Sequence, residues 1–404
     1  MKEQLAKAEA SVAKLLEGRN DRWYPTFHIA AKAGWINDPN GLSFFKGRYQ
    51  VYFQHHPYST VWGPMHWGHA TSTGLLRWDE QPIALRPDHL GMVFSGSAVL
   101  DHANRSGLGV PGSQPLVAMF THHDMAAEKA GRIDRQHQSL AFSLDDGASW
   151  TPYAGNPVMP NPGIQDWRDP KLRWVPQRQC WTMALACGDH IRFYSSSDLK
   201  RWTEDSRFGG PGIGAHGGVW ECPDLLPLVA PDGRTHWVLL VSLTPGGPNG
   251  GSATQSFIGS FDGRRFTPHD NRIRWLDHGP DNYAGVTWAE VDDRALFIGW
   301  MSNWQYADKV PTAPWRSAMT MPRELVLREG GGGLRAELQK QAGHAITGRR
   351  VRRRRRGGPH FHNTSVTNFP AHRRWLMSGH LAHHSRELRT GAQAGAATAV
   401  RAAL

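Results

Sequence analysis

A short turn motif recurs along the chain and limits its fold more than any other feature. Ser72-Thr73-Gly74-Leu75-Leu76-Arg77-Trp78 resembles Ser143-Leu144-Asp145-Asp146-Gly147-Ala148-Ser149-Trp150-Thr151. It returns as Ser197-Asp198-Leu199-Lys200-Arg201-Trp202-Thr203 and, in degenerate form, as Ser260-Phe261-Asp262-Gly263-Arg264-Arg265-Phe266-Thr267. Each copy reads as a strand end, an Asp/Gly turn, and an aromatic that opens the next strand. The aromatics fall at 78, 150, 202 and 266, intervals of 72, 52 and 64. Ser-Asp-Gly turns occur in any β protein, but one hairpin per unit at such intervals predicts an all-β chain of β-propeller type. Runs such as Tyr49 to Gln54, Leu116 to Phe120, Trp237 to Val241 and Ala295 to Trp300 supply the strands, with no convincing long helix between them.

The chain has 404 residues, 39% hydrophobic and 20% charged, enough for a substantial core and unlike a disordered composition. Its formal charge of +11 invites a polyanion-binding reading, but residues 345–404 hold 12 Arg, no Lys and the single acid Glu387. That leaves 34 of the 46 basic and 34 of the 35 acidic residues for the body, which is neutral. Nucleic acid is therefore not an expected partner of the folded domain. Three Cys (Cys180, Cys187 and Cys222) make no disulfide framework, and no Cys/His cluster has zinc spacing. The first 22 residues read as a short amphipathic helix with Leu5, Val12, Leu15 and Leu16 on its apolar side. A signal peptide would need an unbroken apolar stretch of roughly 7–15 residues. No run approaches the roughly 18 apolar residues of a membrane span. The expectation is a cytoplasmic protein with no membrane partner, acting on a substrate small enough to be imported. The 18 Trp suit sheet packing, and some suit a carbohydrate site where sugar C–H faces stack on rings.

Three acidic segments carry candidate chemistry, because two carboxyl groups flanking a glycosidic bond can serve as nucleophile and proton donor. In Trp35-Ile36-Asn37-Asp38-Pro39-Asn40-Gly41, Pro39 holds Asp38 extended, Asn40-Gly41 turns the chain, and Asn37 and Asn40 could donate bonds that keep Asp38 ionised. Alone, the segment is also an ordinary Asx turn. In Trp167-Arg168-Asp169-Pro170, Arg168 can depress the Asp169 carboxyl or bind substrate hydroxyls; the plain alternative is a surface ion pair. In Trp220-Glu221-Cys222-Pro223-Asp224, Glu221 lies between Trp and Cys, a poorly solvating setting that suits a general acid; the plain alternative is a buried, hydrogen-bonded Glu.

Taken together, the three segments resemble glycoside hydrolase family thirty-two, the invertases, sucrose-6-phosphate hydrolases, levanases and exo-inulinases. The resemblance spans about residues 23–329. It includes Phe53-Gln54, Trp62 to His69, Phe94 to Ala98, Asp281 to Ala284, Gly299 to Trp304 and Met321 to Leu325. Gly214 to Pro223 and Gly246 to Ser252 look closest to the levanase and exo-inulinase branch; the N-terminal helix and Phe53 to Pro57 look more like intracellular sucrose hydrolases. The resemblance implies a five-bladed propeller with the site in a central funnel, followed by a β-sandwich. It implies Asp38 as nucleophile, Glu221 as acid/base, and Asp169 as the group that binds fructosyl hydroxyls and stabilises the transition state. Asn37, Gln54, Trp62, Phe94, Ser95, Arg168, Tyr283 and Trp304 would line the fructose pocket. It implies a retaining β-fructofuranosidase acting on sucrose, sucrose 6-phosphate or fructans of levan or inulin type. The Asp38 and Glu221 carboxyls would stand roughly 5–5.5 Å apart. No metal or organic cofactor is called for; His66 and His69 lack a third ligand and are expected to be hydrogen-bonding loop residues. Ile36 stands where the family usually has Met.

The departure from the family is C-terminal. Its pattern fades after Leu327, so residues 1–22 are expected as a helix, 23–329 as the propeller, and 330–404 as a vestigial or disordered Arg-rich region opening on the run Gly330 to Gly333. The expected sandwich is then truncated or missing, as a frameshift or truncation in the coding sequence would leave it. The competing functional readings are a catalytically impaired fructan-binding propeller, nucleic-acid binding through residues 349–356, and a related propeller glycosidase acting on arabinose polymers.

Overall fold

A computed structural model describes residues 2–339 apart from 18, 20, 292, 293 and 331. Helix α1 (Lys2–Leu16) is followed by five separate sheets. Blade one is β1 (Gly34–Phe45), β2 (Arg48–His56), β3 (His66–Ser72) and β4 (Asp79–Leu85). Blade two is β5 (Met92–Leu100), β6 (Leu116–His123), β7 (Gln136–Ser143) and β8 (Thr151–Pro152), with helix α2 (Met125–Lys129) between β6 and β7. Blade three is β9 (Trp167–Val175), β10 (Cys180–Cys187), β11 (His190–Ser196) and β12 (Thr203–Gly209). Blade four is β13 (Val219–Val229), β14 (Thr235–Thr244), β15 (Ala253–Phe261) and β16 (Phe266–Pro268). Blade five begins with β17 (Tyr283–Thr287) and β18 (Ala295–Trp300). The two-residue strand β19 (Trp315–Arg316) then leaves to pair in parallel with β1, and β20 (Arg323–Gly330) and β21 (Gly333–Gln339) complete blade five. The first strands β1, β5, β9, β13 and β17 contact one another in a closed ring. This is the expected five-bladed β-propeller.

The core explains why the middle strands read as nearly unbroken apolar runs. There is one hydrophobic cluster between each pair of neighbouring blades, and alternate residues of one strand feed two different clusters. Along β14, Leu239 and Val241 face blade three while Val238 and Leu240 face blade five. Along β6, Val117 and Met119 face blade three while Ala118 and Phe120 face blade one.

The four-fold turn motif is the hairpin between the third and fourth strands of blades one to four. In blade three the Asp198 carboxylate accepts from the Lys200 and Arg201 amides, at 3.0 and 2.9 Å, and Trp202 Nε1 donates to Leu199 O at 2.9 Å. In blade one Ser72 Oγ accepts from Gly74 and Leu75, and Trp78 Nε1 donates to Leu75 O. Leu75 and Leu199 are both left-handed (φ 66° and 61°) and buried, held there by the turn.

The propeller does not stop at 329. Gly330 pairs with Gly333 as the β20–β21 hairpin, and Ala336 is buried with Leu325 and Leu327 in the cluster between blades four and five. Gly330 and Gly333 thus flank the fifth blade's version of the turn, and Gly333 takes a φ of 93° that favours glycine. The remainder of the basic region, from 340 onward, and with it the expected loss of the sandwich, lies outside the described residues. The helix expected within the first 22 residues is α1. It buries Ala8 and Val12, and its Glu9 carboxylate accepts from the Ile83 amide of β4 at 2.6 Å, occupying a donor on the outer strand of blade one. No helix among the described residues is long and apolar enough to cross a membrane.

Candidate active site

Strand β1 breaks register twice and the other four ring strands once; the break nearest the start of each sets two of its residues against one on the neighbouring strand. The pairs are Asn37–Asp38, Phe94–Ser95, Asp169–Pro170, Cys222–Pro223 and Ala284–Gly285. Such bulges re-aim side chains. Asp169, Cys222 and Ala284 are also left-handed, with φ of 66°, 47° and 52°, a conformation that non-glycine residues adopt only when their surroundings impose it.

The bulges bring three carboxyl groups from three blades together. Asp38 accepts from Ser95 Oγ at 2.6 Å and Asn37 Nδ2 at 3.1 Å. Asp169 accepts from the Cys222 amide at 3.0 Å. The Cys222 thiol lies 3.6 Å from one carboxylate oxygen of Asp38 and 3.6 Å from one of Asp169, so its single proton serves one at a time. Glu221 accepts at Oε1 from Arg168, at 2.8 and 3.2 Å, and at Oε2 from the Tyr283 hydroxyl. Arg168 also donates to Asp166 at 2.6 Å.

Burial sets the electrostatics. It raises the Asp38 carboxyl above its ordinary range, and the Glu221 charge adds to this, while the Ser95, Asn37 and Cys222 bonds oppose it. Asp169 is pushed up to about 7, by burial first; Arg168 opposes this, and Glu221 and Asp38 reinforce it. Burial also raises the Cys222 thiol, helped by the Asp169 and Asp38 charges, so it stays protonated and able to donate. The guanidinium of Arg168 is buried, which opposes its charge, yet Glu221, Asp169 and Asp166 hold it protonated.

Aromatic rings frame these groups. Trp35 Nε1 donates to Asn37 Oδ1 at 2.8 Å, and Trp304 stacks on Trp35 with centroids 5.9 Å apart. Phe94 stacks on His123 at 4.3 Å, and Trp62, 37% exposed, meets Phe94 edge-on at 6.1 Å. Phe94 and Trp304 pack in one cluster with Trp35, Cys222 and Tyr283. Gln54 stands opposite the first bulge and donates to Val93 O at 3.0 Å.

The profile of the glycosyl hydrolases family 32 N-terminal domain matches residues 28–337. The chain belongs to glycosyl hydrolase family 32. A levanase of Bacillus subtilis is 48% identical over 323 residues, which are 78% of this chain and 46% of the levanase. The crystal structure of an exo-inulinase from Aspergillus awamori superposes with a TM-score of 0.73 at 41% identity, covering 78% of this chain and 66% of that one. A fructofuranosidase from Schwanniomyces occidentalis, solved in complex with fructose, gives a TM-score of 0.72 at 39% identity, covering 78% and 62%. The chain thus spans about half to two thirds of the length of these family 32 relatives.

Within this family 32 propeller, all eleven residues singled out from sequence fall in one region, but some partners differ from expectation. The Asn40 amide donates to the Asp38 backbone carbonyl at 3.2 Å, not to its carboxylate; the bulge turns the carboxylate toward Ser95 on the next blade. Arg168 does pull Asp169 down, but from 4.0 Å, with its closer bonds going to Glu221 and Asp166, and burial outweighs it. Glu221 is not held in an apolar setting. Strand alternation sends Trp220 into the cluster between blades three and four and turns Glu221 toward Arg168 and Tyr283. His66 and His69 lie on strand β3 rather than in a loop, bonded to Pro64 O at 2.9 Å and Gln50 Oε1 at 2.6 Å. No group of three metal-ligating side chains occurs among the described residues. Sequence reading missed the bridging role of Cys222 and the carboxylate of Asp166. The position of Asp166, two residues before Arg168, was the signal available for it.

Proposed function

We propose that this chain is a retaining β-fructofuranosidase that removes terminal β-D-fructofuranosyl units by double displacement. The observation that carries the proposal is the pairing of two carboxyl groups with different holders: Asp38, held by Ser95, Asn37 and Cys222, and Glu221, held by Arg168 and Tyr283. The named relatives, a levanase, an exo-inulinase and a fructofuranosidase, support the substrate class. In the first step Glu221 gives its proton to the glycosidic oxygen, the bond from that oxygen to the anomeric carbon breaks, and Asp38 bonds to that carbon. In the second, Glu221 takes a proton from water, the water oxygen attacks the anomeric carbon, and Asp38 leaves as a carboxylate. Asp169, lifted toward neutrality by its burial, both donates to and accepts from sugar hydroxyls. Trp62, Phe94 and Trp304 supply ring faces, and Asn37, Gln54 and Ser95 supply short polar contacts around the fructosyl ring.

The test compares sucrose, sucrose 6-phosphate, inulin and levan, and repeats the best of them in aqueous methanol. Fructose release with methyl β-D-fructofuranoside as the methanolysis product is expected. An α-anomer rejects the retaining mechanism. No release from any of the four by folded protein rejects the enzyme and leaves a fructan-binding propeller.

A further inference from the structure

The five ring strands belong to five separate sheets, so no ladder fixes one against the next. A chemical site made from several of them needs ties of another kind. Immediately past the bulges, the strands supply such ties as side chains. Asn40 Oδ1 accepts from the Gly96 amide at 3.1 Å, and Ser97 Oγ bonds to Pro170 O and the Leu172 amide at 2.8 and 2.9 Å. The third tie is a buried ion pair. Lys171, on β9 two residues after Asp169, lies 3.2 Å from the carboxylate of Asp224, on β13 three residues after Glu221. The same oxygen of Asp224 accepts from the amide and hydroxyl of Thr287, at 2.6 and 2.7 Å, and Lys171 Nζ donates to Thr287 O at 2.5 Å. Thr287 lies on β17, four residues after Tyr283.

One charge pair and one threonine therefore connect the strands that carry Asp169, Glu221 and Tyr283. Lys171 is 8% exposed and Asp224 fully buried. Asp224 Oδ1 has no partner among the described residues, so the pair is not optimised for stability. A buried pair is in any case a weak stabiliser once desolvation is counted, whereas it does fix relative position. We propose that Lys171, Asp224 and Thr287 are positioning residues that set the separation of Asp169, Glu221 and Tyr283. The consequence for catalysis rests on the fructosidase reading above; the consequence for geometry does not.

The test uses the full chain and three variants. Thr287→Val deletes one donor, Thr287→Ser restores it, and the double variant Lys171→Met with Asp224→Asn removes both charges together. On folded protein, the proposal expects Thr287→Val and the double variant to lower kcat on sucrose by about tenfold or more. KM is expected to change less than kcat, since Asp169 is the one displaced group that also holds sugar hydroxyls, while Asn37, Gln54, Trp62, Phe94 and Trp304 lie on other strands and loops. The loss is smaller on p-nitrophenyl β-D-fructofuranoside, whose leaving group needs less proton transfer, and Thr287→Ser stays near the parent. Crystal structures are expected to show the Cys222–Asp169 and Tyr283–Glu221 bonds parted. If both altered proteins keep the parent's kcat on both substrates and both bonds, losing only Tm, the proposal is overturned. Should the double variant not fold, Thr287→Val decides. If the parent itself releases no fructose, the functional reading fails separately, and the two bonds in the crystal structures judge the positioning role.

Discussion

Carboxyl groups brought within electrostatic reach of one another cannot all ionise without cost, and Asp38 and Asp169 meet that cost differently. Asp38 has the hydroxyl of Ser95 at 2.6 Å, a bond that favours its charged form. Ser95→Ala removes it and is expected to move the acidic limb of the kcat/KM pH profile upward, by about one unit; an unmoved limb would mean Asp38 does not govern that limb. Asp169 is lifted from its ordinary 3.8 to about 7. A carboxyl raised on folding favours the native state below pH about 4 and opposes it increasingly as pH climbs toward 7. Asp169→Asn is therefore expected to be close to the parent in stability near pH 4 and more stable at pH 8, by on the order of 2–4 kcal/mol, as read by denaturant titration at the two pH values. The identity of these groups was legible in the sequence because Asp38, Asp169 and Glu221 sit in short, unusual segments. Their partners were less so. Ser95 lies 57 residues from Asp38, and Cys222 meets two carboxylates only because its left-handed backbone turns it there.

At the scale of the element, the bulge is the unit that makes the site, and it depends on small residues beside it. Gly96 follows the Phe94–Ser95 bulge, and a Cβ there would lie 2.1 Å from Met119 O and 2.6 Å from Phe120 Cα, both backbone atoms. Gly96→Ala is expected to push β5 off β6, costing about 1–3 kcal/mol in chemical denaturation. It should also lower kcat, because Ser95 moves with the strand. Normal activity in a destabilised Gly96→Ala protein would separate the bulge from the chemistry. The hairpins were readable in blades one to four because Ser and Asp cap those turns with their own side chains. The fifth turn uses glycine, which leaves no capping pattern, so the run Gly330 to Gly333 resembled a domain end. The bulges were not readable at all, since an extra residue in a strand changes pairing without changing composition.

For the whole molecule, the site is a property of closure. Blade one supplies Asp38, blade two Ser95, blade three Asp169 and Arg168, blade four Glu221 and Cys222, and blade five Tyr283. Each pair of neighbours is joined by its own apolar cluster, and β19 ties late chain to β1 at Gly34–Trp315 and Trp35–Arg316. Loss of one blade removes part of the constellation. In urea, fructosidase activity is expected to disappear at the same midpoint as the near-UV circular dichroism of the buried tryptophans; activity surviving past that midpoint would show that the site does not need the closed ring. The neutral body, with the excess charge confined to residues 345–404, was legible from composition, and the five-fold closure from the repeat together with the family resemblance.

The most direct test of the account is fructose release from sucrose by the parent chain and by Asp38→Ala, each confirmed as folded by circular dichroism. The account predicts release by the parent and a fall of at least about 10⁴-fold in kcat for the variant. A folded Asp38→Ala protein that releases fructose at a rate near the parent's would contradict it.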